Sequence, residues 1–196
     1  FESLKIDPNA GKYPIQPVVI GGDDLTVICR ADLALKFTNA FLEYFEQETH
    51  DRISVGKLSA CAGITFIKEK YPFHYAIKLA EELCGEAKKQ SKSIDKNDIP
   101  SSLIFHKVQS SFSNNYSVIK DRMLQAKESK INFKYGPYGI SNDTTELPNI
   151  NKLFDIIKTL SDDKSPKSSI RKWLSTLFND KESAIQLLTR IIEVTD

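Results

Sequence analysis

The sequence predicts an α+β fold, in which helices pack on one face of a sheet and a small α-helical subdomain follows. Two apolar runs flank a Gly-Gly-Asp-Asp segment, and apolar spacings typical of helix and of strand then alternate as far as residue 106. Beyond Pro148 only helical spacing remains. We therefore divide the chain into residues 1–147, which carry the sheet, and residues 148–196, which are helical.

The first elements are two strands joined by a tight turn. Pro17–Ile20 and Leu25–Cys29 are short apolar runs, and Gly21–Asp24 supplies residues typical of a hairpin turn between them. Both runs are expected to bury their side chains. The turn should therefore project from a rigid edge of the sheet.

A helix and a third strand come next. Asp32 can cap a helix that continues to about Glu48. Its apolar side chains recur at helical spacing: Leu33, Phe37, Phe41, Tyr44 and Phe45. The third strand is predicted over Leu58–Phe66, where small residues would let a neighbouring backbone or a ligand come close. These small residues are Ser59, Ala60, Ala62 and Gly63.

The remaining elements are mostly helical. A second helix is predicted over Phe73–Lys92 and a fourth strand over Ser102–His106, followed by a weakly patterned stretch with one helix at Val118–Lys127. The apolar face of the second helix contains Ala76, Ile77, Ala80, Leu83, Cys84 and Ala87. Three apolar stripes predict three helices after Pro148. They are Leu153, Ile156, Ile157 and Leu160; Ile170, Trp173, Leu174, Leu177 and Phe178; and Ile185, Leu188 and Ile192.

Composition limits the function classes. The 196 residues carry 27 Lys and Arg against 26 Asp and Glu, so the strong positive charge of a dedicated nucleic-acid or membrane-surface binder is missing. Three widely spaced cysteines predict neither a zinc site nor a disulfide framework and favour a reducing cytoplasm. No apolar run is long enough to span a membrane. Because the single methionine, Met123, is internal, we interpret the chain as a fragment.

The Gly-Gly-Asp-Asp segment is the motif that suggests chemistry. Gly21 and Gly22 permit positive φ and leave the backbone open to a phosphate, while Asp23 and Asp24 offer hard oxygen ligands. Magnesium prefers one or two carboxylates together with substrate phosphates, which suits a nucleoside triphosphate. An ordinary solvated hairpin turn remains the alternative, because Gly and Asp favour turns for conformational reasons alone.

The chain resembles the palm domains of the large, cyclase-like subunit of type III CRISPR effector complexes, which are related to GGDEF cyclases and polymerase palms. Val18–Leu25, with its Gly-Gly-Asp-Asp turn, carries the specific part of the likeness. The other similar segments contribute only order and spacing: Ala31–Leu35, Ser59–Ile64, His74–Leu83, Glu86–Lys92, Phe105–His106 and Gly136–Tyr138. The resemblance implies a ferredoxin-like palm, with an antiparallel sheet, that lacks its first strand and helices here.

The resemblance also implies site residues. Asp23 and Asp24 would be the catalytic ligands of Mg²⁺ or Mn²⁺, and Gly21 and Gly22 would lie under the triphosphate. Lys88 and Lys92 would neutralise phosphate, although lysines near a helix end also complement the helix dipole without any ligand. Such palms take a further carboxylate from their first strand, and residues 1–15 are too short to contain it and the helices that follow. The metal site is therefore expected to be incomplete within this chain.

Two functions follow from the resemblance. One is a nucleotidyltransferase or cyclase that binds ATP or a related nucleotide and makes cyclic oligoadenylate together with a second palm domain, from the same polypeptide or from a dimer. The other is a non-catalytic palm that docks effector subunits or guide RNA in a CRISPR-associated complex. In both cases we expect a cytoplasmic protein without a membrane partner.

Other candidate residues carry less chemistry. His50-Asp51 is a dipeptide found in metal phosphohydrolases, but that site needs further ligands from other helices. His74 and His106 are interpreted as structural, and no serine lies in a Gly-x-Ser-x-Gly frame. Aromatic residues of the weakly patterned stretch are expected to pack it against the sheet rather than to stack bases. They are Phe112, Tyr116, Phe133, Tyr135 and Tyr138.

Overall fold

The computed structural model describes residues 14–53, 58–95, 98–109, 115–126, 130–140 and 146–195. Its strands are β1 (Ile15–Gly21), β2 (Asp24–Cys29), β3 (Cys61–Phe66), β4 (Ser102–Lys107), β5 (Gln125–Ala126), β6 (Ile131–Asn132) and β7 (Tyr138–Gly139). Its helices are α1 (Ala31–Arg52), α2 (Phe73–Ile94), α3 (Tyr116–Met123), α4 (Ile150–Ser161), α5 (Lys167–Asn179) and α6 (Lys181–Thr195). The predicted α+β class and the order of its principal elements are confirmed.

Strands β1 and β2 form an antiparallel hairpin with a two-stranded sheet of its own. Gly21 pairs with Asp24 at the turn, and the register shifts between Pro17 and Val19, where proline cannot donate to the ladder. The prediction that both strands bury their flanks is wrong for the described residues, because Ile15 alone is buried and Ile20 is 76% exposed. The hairpin buries little apolar surface because neither strand pairs with the main sheet.

The main sheet has the strand order β3-β4-β7. Strand β4 runs parallel to β3 and antiparallel to β7, so this sheet is mixed where the palm resemblance implied an antiparallel one. A parallel pair is the expected outcome when a helix crosses over between two strands, and α2 supplies that crossover.

Helices cover both faces of this sheet rather than the one face predicted. Ile104 joins a core with Leu83 of α2, whereas the next residue, Leu103, joins a second core with Leu42 of α1. Successive residues of a strand point to opposite faces, which places α1 and α2 on different sides of β4.

Helix α1 differs in two details from its prediction. It begins at Ala31, so Asp32 lies in the first turn instead of capping it, and Arg30 donates two hydrogen bonds to the Asp32 carboxylate, at 3.1 and 2.6 Å. The predicted aromatic stripe is not the buried face, since Leu42 is 1% exposed and Tyr44 is 65% exposed. The rings of Phe37, Phe41 and Phe45 stack along the helix instead.

Helix α2 packs against β3 and β4. Leu83 and Ala87 of its predicted apolar face are fully buried, and so is Leu79, which the prediction did not include. Near its end, the hydroxyl groups of Ser91 and Ser102 are 2.7 Å apart, and both residues are fully buried. A buried hydroxyl needs such a partner, so this pair fixes the end of the helix on the strand.

Residues 131–140 connect several parts of the molecule. Lys134 forms an ion pair with Glu86 of α2 at 2.7 Å, and the ring of Phe133 stacks on Phe178 of α5 at a centroid distance of 5.7 Å. Tyr138 is buried, and its ring stacks on Phe105 of β4. The helix predicted at Val118–Lys127 is shorter than expected, because α3 ends at Met123 and β5 follows.

The three helices predicted after Pro148 are present. Ile150, at the start of α4, is fully buried in the core that contains Leu42 and Leu103. Later positions of the predicted stripes are more than a third exposed: Ile156, Ile157, Leu160, Leu174, Phe178, Ile185, Leu188 and Ile192. Within the described ranges, no helix is both long and apolar enough to cross a membrane.

Candidate functional site

The Gly21–Asp24 turn lies at the tip of the β1–β2 hairpin. Gly22 has a φ of +60°, and Asp23, the second central residue, does not have a positive φ. This combination is typical of a type II′ hairpin turn, in which glycine occupies the first central position. The turn conformation alone therefore explains why residue 22 is glycine. The backbone at Gly21 has no positive φ and does not require glycine.

The backbone of the turn is open to an approaching group. A Cβ atom built on Gly21 or on Gly22 would meet nothing within 4 Å among the described residues. Asp23 and Asp24 are both exposed at the same tip. Within the described part of the chain, no ion pair to a basic side chain engages either carboxylate. The tip therefore combines accessible backbone with two available anionic groups.

The predicted phosphate-binding lysines lie on α2. Lys88 and Lys92 are exposed and four residues apart, so they share one face of the helix. Lys92 lies in the last turn, where its charge also complements the carboxyl end of the helix dipole. The structure brings the two lysines together on α2, and it brings the two aspartates together on the hairpin.

Cys84 lies on α2, as Lys88 and Lys92 do, and was predicted only as a core residue. Burial is the main cause that raises the pKa of the Cys84 thiol, and the charges of Cys61 and Asp24 raise it further while Lys88 lowers it. The thiol is therefore within electrostatic reach of both the turn and the lysine face. The available sequence signal was its position one helical turn before Lys88.

Among the described glycines, Gly63 has the least room for a side chain, because the backbone of α2 lies directly against it. A Cβ atom at this position would lie 2.5 Å from the Cys84 backbone nitrogen and even closer to the Ala80 carbonyl oxygen. The sequence predicted a close approach at this strand, and the neighbour is the backbone of α2. Cys84 also donates its Sγ proton to the Cys61 carbonyl oxygen at 3.1 Å.

A divalent cation of the magnesium type fits the donors of the turn. Both aspartates offer carboxylate oxygens, which such cations prefer, and substrate phosphates can complete the coordination. Over the described ranges, no group of three or more His, Cys, Asp or Glu side chains could hold a metal without further ligands. If a metal binds here, the described residues would contribute the aspartate pair to its coordination.

The histidines and aromatic residues to which the sequence analysis gave no catalytic role are structural or surface residues in the structure. The Nδ1 atom of His50 lies 3.4 Å from the neighbouring Asp51 carboxylate at the exposed end of α1. Burial lowers the pKa of His106, which favours a neutral imidazole on β4. Tyr116 and Tyr138 pack inward as predicted, Tyr135 is exposed, and Phe112 lies outside the described residues.

Comparison with known proteins adds one finding. Residues 3–99 match the family described as Cas10/Cmr2, second palm domain. The match contains the hairpin, α1, β3 and α2, and so includes every residue of the candidate site. No curated protein sequence matches the chain.

Proposed function

Because residues 3–99 belong to the Cas10/Cmr2 second palm domain family, and so form a type III CRISPR-associated palm module, we propose that this module binds a nucleoside triphosphate at the Gly21–Asp24 turn. The observation that carries the proposal is the pair of exposed carboxylates next to unobstructed glycine backbone at the hairpin tip. ATP, or a related nucleotide, is the proposed ligand.

The two glycines and the two aspartates have different roles in this proposal. Gly21 and Gly22 let the triphosphate lie against the hairpin, because no Cβ atom keeps it away. Asp23 and Asp24 hold the divalent cation that accompanies the nucleotide. When bound, Mg²⁺ or Mn²⁺ would neutralise phosphate charge and lower the pKa of an attacking hydroxyl.

Lys88 and Lys92 complete the proposed binding site. Their ammonium groups lie on one face of α2 and would attract the phosphate chain from the side of the helix. The field of Asp24 and that of Lys88 both act on Cys84, which supports a site that includes the hairpin and this face of α2.

The proposed reaction joins the 3′-hydroxyl of one ATP to the α-phosphate of another; the bond between the α- and β-phosphates breaks, pyrophosphate leaves, and the hydroxyl proton is released. Cyclic oligoadenylate is the proposed product. Such a reaction needs two nucleotides held face to face, and one palm presents one turn. A second palm domain, from the same polypeptide or from a dimer, would hold the other nucleotide. We therefore expect this chain alone to bind ATP without converting it.

Isothermal titration calorimetry with ATP and Mn²⁺ tests the site. The double variant Asp23→Ala with Asp24→Ala should bind at least about tenfold more weakly, because each hydrogen bond or contact to a charged group contributes about 1.5–3 kcal/mol. A matched control, Asp155→Ala with Asp163→Ala, removes two exposed carboxylates from α4 and the turn after it. This control should bind like the unmodified chain. Equal binding by the two double variants would reject the proposal.

A palm that serves only as a scaffold for effector subunits or guide RNA is the second candidate. It is favoured by the lack of a third acidic ligand near the aspartate pair within the described residues. In that case the unmodified chain would show no metal-dependent binding of ATP in the same titration.

A further inference from the structure

We infer that Gly63 is a positioning residue for the proposed nucleotide site, because it lets α2 lie directly against β3 and so sets where Lys88 stands relative to the Gly21–Asp24 turn. This inference rests on the proposed function. Gly63 itself would not touch the nucleotide. It would act through the helix that carries Lys88.

The contact between Gly63 and α2 leaves no room for a side chain. The Ala80 carbonyl oxygen and the Cys84 amide nitrogen are both backbone atoms, so neither can rotate away from a Cβ atom as a side chain could. A carbon atom lies about 3.5–4.0 Å from its non-bonded neighbours at the optimal separation. To make room for a Cβ atom at Gly63, β3 and α2 would therefore have to move apart by about 1 Å.

The strand is held more firmly than the middle of the helix. All six residues of β3 are paired with β4 along Cys61–Phe66. The end of α2 is fixed by the hydroxyl pair of Ser91 and Ser102. An added methyl group at Gly63 would therefore displace the turn of α2 that contains Ala80 and Cys84.

Lys88 follows this turn directly. It lies four residues after Cys84 and so on the same face of the helix. The Cys84 thiol lies in the fields of both Asp24 and Lys88. Exposed ion pairs contribute little, so we expect displacement of the exposed Lys88 ammonium group to weaken nucleotide binding by about threefold.

The test compares Gly63→Ala with Gly85→Ala. Gly85 lies on the same helix, but a Cβ atom there would meet nothing within 4 Å among the described residues. In calorimetric titrations with Mn²⁺ and ATP, Gly63→Ala should bind about threefold more weakly and Gly85→Ala should bind like the unmodified chain. Equal binding by the two variants would overturn the inference.

A double-mutant cycle with Lys88→Ala distinguishes a positioning role of Gly63 from a general destabilisation of the fold. If Gly63 acts through Lys88, then Gly63→Ala should cause no further loss when Lys88 is already alanine. The same loss in both backgrounds would show that Gly63 supports the fold in general and would contradict the inference. Should Gly63→Ala fail to fold, Cys84→Ala removes the Sγ hydrogen bond at the same contact, and the same dependence on Lys88 is required of it.

Alkylation of Cys84 distinguishes this inference from the proposed function. Iodoacetamide labelling followed by peptide mass spectrometry reports each cysteine separately and needs no nucleotide. Gly63→Ala should label faster at Cys84 than Gly85→Ala does, because the displaced helix exposes the thiol. Faster labelling in a chain that binds no ATP would reject the proposed function, and with it the nucleotide role of Gly63, but would confirm that Gly63 sets the position of α2. Unchanged labelling would reject the displacement itself.

Discussion

Glu86 and Lys134 form an ion pair that is well shielded from solvent. Their side chains are 19% and 20% exposed, whereas the side chains of Glu48 and Arg52 in α1 are 59% and 79% exposed. The hydrogen bond from Lys134 is the main cause that holds the pKa of Glu86 below its ordinary value. Shielding of this kind makes the first pair the more important one for stability.

Lys134→Ala should lower the free energy of unfolding by about 1–2 kcal/mol at pH 7. The lowered pKa means that this stabilisation is present above the ordinary carboxyl pKa and is lost as the pH falls through the lowered value. Urea unfolding at neutral and at acidic pH measures the difference, which should disappear under acidic conditions.

Arg52→Ala is the matched control for this pair. It removes an exposed partner in α1, and we expect a change within about 0.5 kcal/mol. A similar loss in both variants, or a loss for Lys134→Ala that persists after Glu86 is protonated, would contradict the assignment.

The site illustrates which residues sequence can reveal. Asp23 and Asp24 could be proposed from sequence because two glycines and two carboxylates in succession have a chemistry of their own. The place of Cys84 one helical turn before Lys88 is visible in the sequence, but the electrostatic influence of Asp24 on its thiol is not. That influence depends on how α2 and the hairpin pack, and no local pattern contains it.

At the scale of the element, the two glycines of the hairpin allow an effect on backbone conformation to be measured separately from an effect on ligand binding. Gly22→Ala places a Cβ atom at a φ of +60° and should destabilise the hairpin by about 1–2 kcal/mol. Gly21→Ala has open space and no positive φ, so its thermal stability should stay unchanged. If the triphosphate lies against this backbone, Gly21→Ala should nevertheless weaken the binding of ATP.

Differential scanning calorimetry and titration calorimetry on these two variants provide the measurements. Unchanged nucleotide binding by Gly21→Ala would argue against a phosphate position at this glycine. An equal thermal midpoint for Gly22→Ala and the unmodified chain would contradict the described turn geometry.

Helix α1 shows why an apolar pattern can identify an element without identifying its buried face. Phe37, Phe41 and Phe45 recur at helical spacing, and the helix is present. Leu42 is nevertheless the residue that enters the core with Leu103. Leu42 lies on a neighbouring side of the helix from the phenylalanines, so tertiary packing decides which side is buried.

At the scale of the whole molecule, residues 131–140 link the sheet to the later helices. Phe178→Ala removes the stack on Phe133 and should destabilise this link by about 1 kcal/mol. Hydrogen exchange measured by mass spectrometry should show faster exchange in α5 and α6 than in the unmodified chain. Leu174→Ala, one turn earlier on α5 and half exposed, should change exchange much less.

The overall arrangement could be predicted only in part. The order of strands and helices follows from local periodicity, as in the run from Ser102 to Lys107. The parallel pairing of β3 with β4 and the placement of helices on both faces depend on contacts distant in sequence, such as Gly63 with Ala80. Leu103 and Ile104 point to opposite faces of the sheet, but both are apolar, so the sequence does not show which helix covers which face.

The buried hydroxyl pair of Ser91 and Ser102 has a consequence for how this chain avoids misalignment. Strand β4 carries apolar residues on both sides, so a slip that moves Ile104 into the place of Leu103 has little steric cost. The same slip would move Leu103 into the place of Ser102 and leave the Ser91 hydroxyl without its partner, at about 1–3 kcal/mol. The serine pair therefore disfavours a register that hydrophobic packing alone would hardly distinguish from the native one.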